Sequence, residues 1–478
     1  MACPFSGAAV TRTFKVPSAN SPAISFFGLR GVTFTRIVTR FLLYTDYLRA
    51  LALLALVTLL LLPQLHRGGL SGYDDALYAH EAREMIDHGD WWTIHFDGAP
   101  NFEYPPLFLW LDALSLRILG PSDFAAKLPS ALAGIGTVAA LYFLAVELTG
   151  EAWVGIFSML VLATTQPFLK YSTHAMTDVP FAFFVTLALL LYLKGLRKPS
   201  FLLWAGVAVA AAILTRSAMG ALPVAIILLH QRWSALRSRF ALGGLLMALG
   251  VPLVWAGSQY QLHGAEFLNR HLSFVANKVQ GPSFHVWPYL KELLKYYWPW
   301  LPVFALGLRK TNSFGLLWTA TAIVPLFFIG TAYGRYLMPA FPAMALICGV
   351  ALHRWIPTAR RELYFRGACV VILGAAVYTI VSPSPERGLE MRTLAPAVRA
   401  AARPDQRVLL YTGGEQRFDI QNQLLWYGNR YVDFATNLNP NPGAIGVIDK
   451  PSFARIAPRA QVLAESEGFV CFRAISSR

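Results

Sequence analysis

Four acidic side chains stand beside long apolar stretches, where a carboxylate is costly. Asp74 and Asp75 follow the first stretch, Glu103 lies in FEYPPL, and Asp178 in THAMTDVP opens a later stretch. Ionisable residues at membrane depth are rare and tend to mark functional sites. A carboxylate within hydrogen-bond reach of a hydroxyl can draw off its proton and turn the oxygen into a nucleophile. We therefore predict that these four residues are catalytic and share one cavity.

The elements that must position these carboxylates are membrane helices. Of the 478 residues, 55% are hydrophobic and 14% are charged, whereas soluble domains carry about 25% charged residues. Counted with their aromatic and basic flanks, the apolar blocks approach the ~20 residues of a spanning helix. The sequence thus predicts a mostly α-helical, polytopic bundle of about eleven transmembrane helices. The blocks are 48–63, 128–148, 154–169, 181–193, 201–214, 218–229, 241–260, 297–308, 314–330, 337–352 and 367–381.

The basic residues indicate a topology. The formal net charge is +15, and Lys and Arg gather between alternate blocks, near residues 194–198, 232–239, 309–310 and 354–366. Such clusters mark cytoplasmic loops, so the charge predicts a multi-pass protein of the inner or plasma membrane and no nucleic-acid partner. The N-terminus is then cytoplasmic, and the acidic first outer loop, 64–123, lies outside the cytoplasm.

That outer loop has two amphipathic stretches. In residues 74–88, Tyr78, Ala82 and Met85 form an apolar stripe at helical spacing, which predicts a short helix in the membrane interface. Residues 107–119 predict a second helix. Loops of this length are commonly functional.

The sequence divides into three regions: a disordered cytoplasmic tail (1–39), a transmembrane catalytic domain (40–381) and a small extracytoplasmic α/β domain (382–478). In the last region, short strands at 407–411, 431–434, 444–448 and 469–474 alternate with helices at 421–427 and 451–456. The four cysteines show no CxxC pair, so neither a zinc ribbon nor a redox motif is supported.

Several motifs occur in a recognisable order: YDDALYAHEAREMIDHGDWW, FEYPPLFLWLDAL, AAKLPSALAG, THAMTDVPFAFF, LTRSAMGALP, PYLKELLKYYWPWLP and GRYLMPAFPAMAL. Together they resemble the aminoarabinose (lipid A) transferase-like branch of the GT-C glycosyltransferases, with protein O-mannosyltransferases as relatives. The resemblance runs from about Tyr73 to Gly349. It implies a GT-C fold and transfer of a sugar from a polyprenyl-phosphate donor to a lipid, glycan or protein acceptor on the outer face.

The resemblance also assigns roles to single residues. Asp74 matches the first acid of the family's pair and Asp178 its second conserved acid. Glu103 matches the glutamate of an FEKPPL-like turn, and with His271 it could hold a divalent metal ion; no other cofactor is implied. The lysine of that turn is Tyr104 here. Arg335 and Arg216 are therefore the candidates for binding the donor phosphate, because guanidinium binds phosphate through two parallel hydrogen bonds, and Tyr104 and Tyr336 are candidate substrate-binding residues.

Two other classes of function stay open from the sequence. A transporter or flippase of lipid-linked sugars would show an internal repeat with matching broken helices, and the sequence has no such symmetry. The C-terminal domain could instead be a binding module anchored by the membrane part, although eleven spans exceed what an anchor needs. The sugar and the acceptor are not specified.

Overall fold

The computed structural model describes residues 28–230, 232–279, 284–310, 313–330, 332–382, 386–436 and 439–475. It is mostly helical, as predicted. Within these residues, seven helices are long and apolar enough to cross a membrane, or up to eight if the bent pair Ala152–Ala163 and Gln166–Ser172 forms one span. The chain is thus a multi-pass membrane protein. All eleven apolar blocks are largely helical, and their number as separate spans stays a prediction.

Of the predicted cytoplasmic tail, residues 1–27 lie outside the described part of the chain, and residues 28–39 are helical. The pattern of contacts between residues divides the chain into two compact units, with the boundary between Tyr47 and Leu48. This boundary lies inside the first helix. The helices of the membrane region are α1 (Gly28–Leu61), α2 (Asp74–His88), α3 (Leu107–Leu119), α4 (Asp123–Thr149), α5 (Ala152–Ala163), α6 (Gln166–Ser172), α7 (Asp178–Arg197), α8 (Phe201–Arg216), α9 (Leu222–Leu229), α10 (Trp233–Leu236), α11 (Arg239–His263), α12 (Ala265–Val279), α13 (Val286–Tyr296), α14 (Trp300–Gly307), α15 (Ser313–Ile323), α16 (Phe341–Trp355) and α17 (Thr358–Val381), with 3₁₀ segments at Leu62–His66, Ser217–Ala221, Leu308–Lys310, Val324–Phe328 and Gly334–Ala340.

The helical run from Phe201 to Leu229 reverses direction in its middle. The start of α8 lies beside the end of α7, because a Cβ on Gly195 would touch the side chain of Leu202. The end of α8 lies beside the start of α7, because Arg216 forms an ion pair with Asp178. The chain then returns, because His230 is hydrogen-bonded to Tyr192 at 2.9 Å. The turn lies at Ser217, whose φ is +51°. The two apolar blocks predicted here therefore form two antiparallel helical segments, α8 and α9.

The outer-loop helices lie where the sequence predicts them, but α2 is more enclosed than an interfacial helix. Its His80 and Glu84 are only 3% exposed, because the 95–100 hairpin covers them: the His80 ring meets the Phe96 ring at 6.1 Å, and Glu84 accepts from the backbone N–H of Gly98 at 3.0 Å. A helix of the C-terminal region, α19 (Phe418–Gly428), covers the neighbouring Arg83. Arg83 stacks on the Trp426 ring at 4.1 Å and donates to the Trp426 carbonyl at 2.8 Å. The other face of α2 packs against α3, and both helices share one apolar core. Tertiary packing has thus converted a surface helix into a central one.

The C-terminal region is a small α/β unit, as predicted. Its five-stranded sheet has the order β4-β3-β5-β7-β6, with β3 parallel to its neighbours β4 and β5, and β7 antiparallel to β5 and β6. The predicted strands and helices are all present. The helix Leu389–Ala401 and the strand Ala460–Glu465 were not predicted. The elements are β1 (His95–Phe96) and β2 (Ala99–Pro100) of the outer-loop hairpin, then α18 (Leu389–Ala401), β3 (Val408–Tyr411), α19 (Phe418–Gly428), β4 (Val432–Phe434), β5 (Ile445–Asp449), α20 (Lys450–Ile456), a 3₁₀ turn at Ala457–Arg459, β6 (Ala460–Glu465) and β7 (Phe469–Ala474).

Candidate active site

A cavity of about 140 Å³ lies where α2, α12, the end of α8 and the Gly334–Ala340 helix meet. Six of its lining residues are ones that the sequence predicts as catalytic or substrate-binding, and they come from segments far apart in the chain. Their convergence supports a single site. These six residues are Asp74, Glu103, Tyr104, Arg216, Arg335 and Tyr336.

Asp74 and Arg335 form the ion pair at the centre of this cavity. Asp74 begins α2, where a carboxylate is favoured by the positive end of the helix dipole, and its Oδ2 lies 2.5 Å from Nη1 of Arg335. Both side chains are about one-fifth exposed. Burial raises the pKa of Asp74 above its ordinary value, although Arg335 opposes the shift. The Nε of Arg335 is buried and has no hydrogen-bond partner among the described residues.

Asp178 and Arg216 form a second ion pair behind the first. The Nη2 of Arg216 lies 2.5 Å from Oδ1 of Asp178, and Nε of Arg216 donates to Oγ1 of Thr177 at 3.2 Å. Asp178 is 2% exposed and does not itself line the cavity. It acts on the cavity through Arg216, whose guanidinium lies 5.5 Å from the centre of the Tyr336 ring. The predicted second acid is therefore part of the site, one residue removed from the cavity wall.

Two tyrosines form the wall beside Asp74. The rings of Tyr78 and Tyr104 meet edge to face at 5.3 Å. Burial raises the pKa of both hydroxyls, so both stay protonated near neutral pH. Tyr104 thus supplies a neutral hydrogen-bonding group where the resembling family has a cation. From the sequence, Tyr78 is predicted only as part of an apolar stripe. Its position four residues after Asp74, on the same helix face, is the signal that could have placed it at the cavity.

Asp75 is directed away from the cavity. It is fully buried, and its Oδ2 accepts hydrogen bonds from the backbone N–H of Ser71 at 3.1 Å and from the Ser71 hydroxyl at 2.9 Å. Neighbouring positions on a helix point about 100° apart, and Asp75 is not among the residues that line the cavity. Its hydrogen bonds hold the turn that leads into α2, and its predicted catalytic role stays a prediction.

The predicted metal pair does not have the geometry of a metal site. The Nδ1 of His271 lies 2.7 Å from the carbonyl oxygen of Phe102, which can only accept, so Nδ1 carries the proton. Its Nε2 then accepts from the Ser217 hydroxyl at 3.1 Å. Glu103 is exposed at the cavity rim. The described residues contain no group of three or more His, Cys, Asp or Glu side chains that could hold a metal ion, and we assign no chemistry to a metal.

The remaining wall of the cavity is apolar and was not anticipated from the sequence. Phe274 and Val275 come from α12, Met219 from the turn after α8, and Ile329 from the loop before Arg335. These residues carry no chemical signal of their own in the sequence. The cavity therefore combines two arginine–carboxylate pairs with an apolar side.

The fold of this chain is similar to that of a solved membrane protein. The crystal structure of ArnT from Cupriavidus metallidurans bound to undecaprenyl phosphate has a TM-score of 0.72 to this chain at 18% sequence identity, covering 89% of this chain and 98% of that one. A family model described as dolichyl-phosphate-mannose-protein mannosyltransferase matches residues 103–256. The predicted GT-C fold and the resemblance to the aminoarabinose transferase-like and protein mannosyltransferase families are thus confirmed.

Two sequence relatives show how far the likeness extends. An uncharacterized protein of Aquifex aeolicus is 28% identical over 291 residues, covering 57% of this chain and 58% of the relative. An undecaprenyl phosphate-alpha-4-amino-4-deoxy-L-arabinose arabinosyl transferase of Pseudomonas fluorescens is 29% identical over 353 residues, covering 68% of this chain and 63% of the relative. In both cases the matched region spans less than two thirds of the relative's length.

Proposed function

We propose that this chain is a membrane glycosyltransferase that moves a sugar from a polyprenyl-phosphate-linked donor to a lipid, glycan or protein acceptor at the outer face of the membrane. The observation that carries this proposal is the pairing of Arg335 with Asp74 and of Arg216 with Asp178 in one cavity with an apolar side. The names of the relatives support the same donor class.

The arginines suit the donor phosphate. A guanidinium has five N–H donors, and Arg335 spends Nη1 on Asp74 while its buried Nε has no partner among the described residues. It can therefore bind a carboxylate and a phosphate oxygen together. Arg216 adds a second positive charge in the same wall. In the transition state, negative charge grows on the leaving phosphate, where these donors stabilise it most.

Asp74 suits the acceptor side of the reaction. Its carboxylate would take the proton of the acceptor hydroxyl as that oxygen bonds to the anomeric carbon of the sugar. The bond from the anomeric carbon to the phosphate oxygen breaks at the same time, and the phosphate leaves with the electron pair. A single displacement of this kind inverts the anomeric configuration. Arg335 orients the Asp74 carboxylate throughout.

The apolar wall suits the polyprenyl chain. Phe274, Val275 and Ile329 face the same space as the arginines, so an anionic headgroup and the first isoprene units could bind side by side. Burying apolar surface of this kind contributes about 25 cal/mol per Å².

The test uses the purified protein with undecaprenyl phosphate as the probe and the Asp74→Asn and Arg335→Ala variants. Asp74→Asn should retain undecaprenyl phosphate binding and lose transfer, by about 10²–10⁴-fold, the usual contribution of a general base. Arg335→Ala should weaken binding itself. Asp87→Asn, an exposed change on the same helix, is the matched control and should behave as the wild type.

Mass spectrometry of outer lipids, polysaccharides and glycoproteins from a deletion strain would name the sugar and the acceptor. Full transfer activity in Asp74→Asn, or translocation of a lipid-linked sugar with no covalent product, would overturn the proposal in favour of the transporter class.

A further inference from the structure

A second polar cavity lies on the opposite side of the Gly334–Ala340 helix from the site just described. It has a volume of about 150 Å³ and is bounded by α6, α13 and that 3₁₀ helix. Gly334 lines this cavity. The next residue, Arg335, lines the first cavity, the one that contains Asp74 and is called the donor cavity from here on. One turn of backbone therefore separates the two cavities. This turn carries Arg335, the ion-pair partner of Asp74.

The side chains of the second cavity differ in chemistry from those of the donor cavity. Lys170 and Tyr171 come from α6, and Glu292 and Tyr296 come from α13. The donor cavity has two arginines. The second cavity has a single lysine, a single glutamate, an amide at Gln166 and three aromatic rings, those of Tyr171, Tyr296 and Phe341. Among the described residues, no ion pair involves Lys170 or Glu292. The Lys170 ammonium lies 5.1 Å from the centre of the Tyr171 ring.

This combination fits a saccharide. The flat faces of tyrosine rings pack against the apolar C–H faces of a sugar ring, and the phenol groups keep a polar edge. A carboxylate accepts hydrogen bonds from two hydroxyls at once, and an ammonium donates to a third. The Glu292 carboxylate in this cavity would repel a phosphate, so a single lysine beside it favours a neutral ligand over an anionic one.

Contacts join this cavity to the reacting groups. A Cβ on Gly334 would lie 2.8 Å from Oε2 of Glu292, so the Glu292 carboxylate rests directly on the backbone beside Arg335. Tyr171 lines the second cavity and belongs to α6. Helix α6 packs against the Gly334–Ala340 helix, which carries Arg335, and against α7, which begins at Asp178.

We infer that the second cavity binds a sugar unit of the acceptor, with Glu292 and Lys170 holding its hydroxyl groups and Tyr171 and Tyr296 contacting its ring. This inference rests on the proposed glycosyltransferase function and narrows the acceptor to a saccharide-bearing molecule. The acceptor approaches Asp74 from the α6–α13 side, while the donor approaches from the α12 side. The site thus brings the two substrates together across the Gly334–Ala340 helix.

The test separates the acceptor side from the donor side. The Glu292→Gln and Lys170→Ala variants are compared with Glu266→Gln, which changes an exposed glutamate in a surface ion pair with Arg270 outside both cavities. Donor binding is measured with undecaprenyl phosphate. Transfer is measured as mass gain in the total glycolipid and glycan extract of a deletion strain, with polyprenyl-phosphate sugars extracted from wild-type cells as donor.

We expect both cavity variants to bind undecaprenyl phosphate within about twofold of the wild type. The apparent KM for the extract should rise about tenfold or more, as expected for a lost hydrogen bond to a charged group. Gly334→Ala, which displaces Glu292, should give the same pattern. Unchanged KM in all three variants, or loss of undecaprenyl phosphate binding in the cavity variants, would overturn the inference. A wild-type protein that binds no undecaprenyl phosphate and transfers no sugar would instead defeat the proposed function itself.

Discussion

The carboxylate of Asp74 and the guanidinium of Arg335 lie 2.5 Å apart, although one begins the first outer-loop helix and the other precedes α16 near the end of the membrane domain. This contact joins the outer loop to the last part of the bundle. It also gives Asp74 a fixed direction in the cavity. The chemistry proposed for this chain depends on that direction.

The Arg216–Asp178 pair should show strong coupling. Arg216→Ala leaves Asp178, which is 2% exposed, as a buried carboxylate without its cation, and we expect a loss of about 3–5 kcal/mol in stability. Replacing both residues together, as Arg216→Met with Asp178→Leu, should cost much less because no charge is then left unpaired. A double-mutant cycle of thermal unfolding in detergent measures the coupling. Simple additivity of the two single changes would contradict the buried pair.

The pH dependence of transfer should follow Asp74. Burial raises the pKa of this carboxyl above 3.8. Below that raised pKa the group is protonated and cannot accept a proton, so kcat/KM should fall as the pH falls, with an acid limb that lies above pH 3.8. A pH profile of the wild type measures this limb. Activity that stays constant down to pH 3.8, or that rises as the pH falls, would exclude Asp74 as the base.

Glu81 should make the protein less stable as the pH rises. Burial raises its pKa well above 4.5, so the folded state keeps a proton that the unfolded state loses. Unfolding then releases a proton, and stability decreases with rising pH above about 4.5. Glu81→Gln removes this pH-dependent loss of stability. The new amide keeps an oxygen that can accept from the Asn101 amide, which donates to Glu81 at 2.6 Å in the wild type.

The variant should therefore unfold at a higher temperature than the wild type at neutral pH, and the difference between them should vanish in acid. Thermal unfolding curves across pH measure it. A variant that is less stable than the wild type at neutral pH would show that Glu81 is ionised in the folded protein.

Two glycines offer a matched test of how the C-terminal α/β region packs against the rest of the chain. Gly69 and Gly89 both have positive φ, +64° and +69°. A Cβ on Gly69 would lie 2.2 Å from the backbone oxygen of Arg387, whereas a Cβ on Gly89 would meet nothing within 4 Å. Gly89→Ala should cost only the conformational strain of about 1–2 kcal/mol.

Gly69→Ala carries the same strain and must also push Arg387 away, so it should destabilise the protein clearly more and expose the C-terminal domain to limited proteolysis. Thermal unfolding and protease sensitivity of the two variants provide the comparison. Equal effects of the two substitutions would show that the Gly69–Arg387 contact is not needed for docking.

Much of the site could be predicted because each residue carried its own signal. Asp74, Glu103 and Asp178 stand out as charges beside apolar blocks, and Arg216 and Arg335 stand at helix ends. Motif order added the family. The sequence could not separate Asp74 from Asp75, because two adjacent carboxylates look alike until helix packing directs one to the cavity and buries the other against Ser71.

The amino-acid sequence by itself determined the membrane bundle, the outer-loop helices and the alternating strands and helices of the C-terminal region. These depend on hydrophobic period and length, which are local properties of the chain. Only the tertiary structure decided that α19 covers α2, that Tyr78 faces the cavity and that both nitrogens of His271 are bound by Phe102 and Ser217. Each of these features is a contact between segments that are far apart in the chain. Such contacts are determined by the packing of the whole chain and not by local sequence.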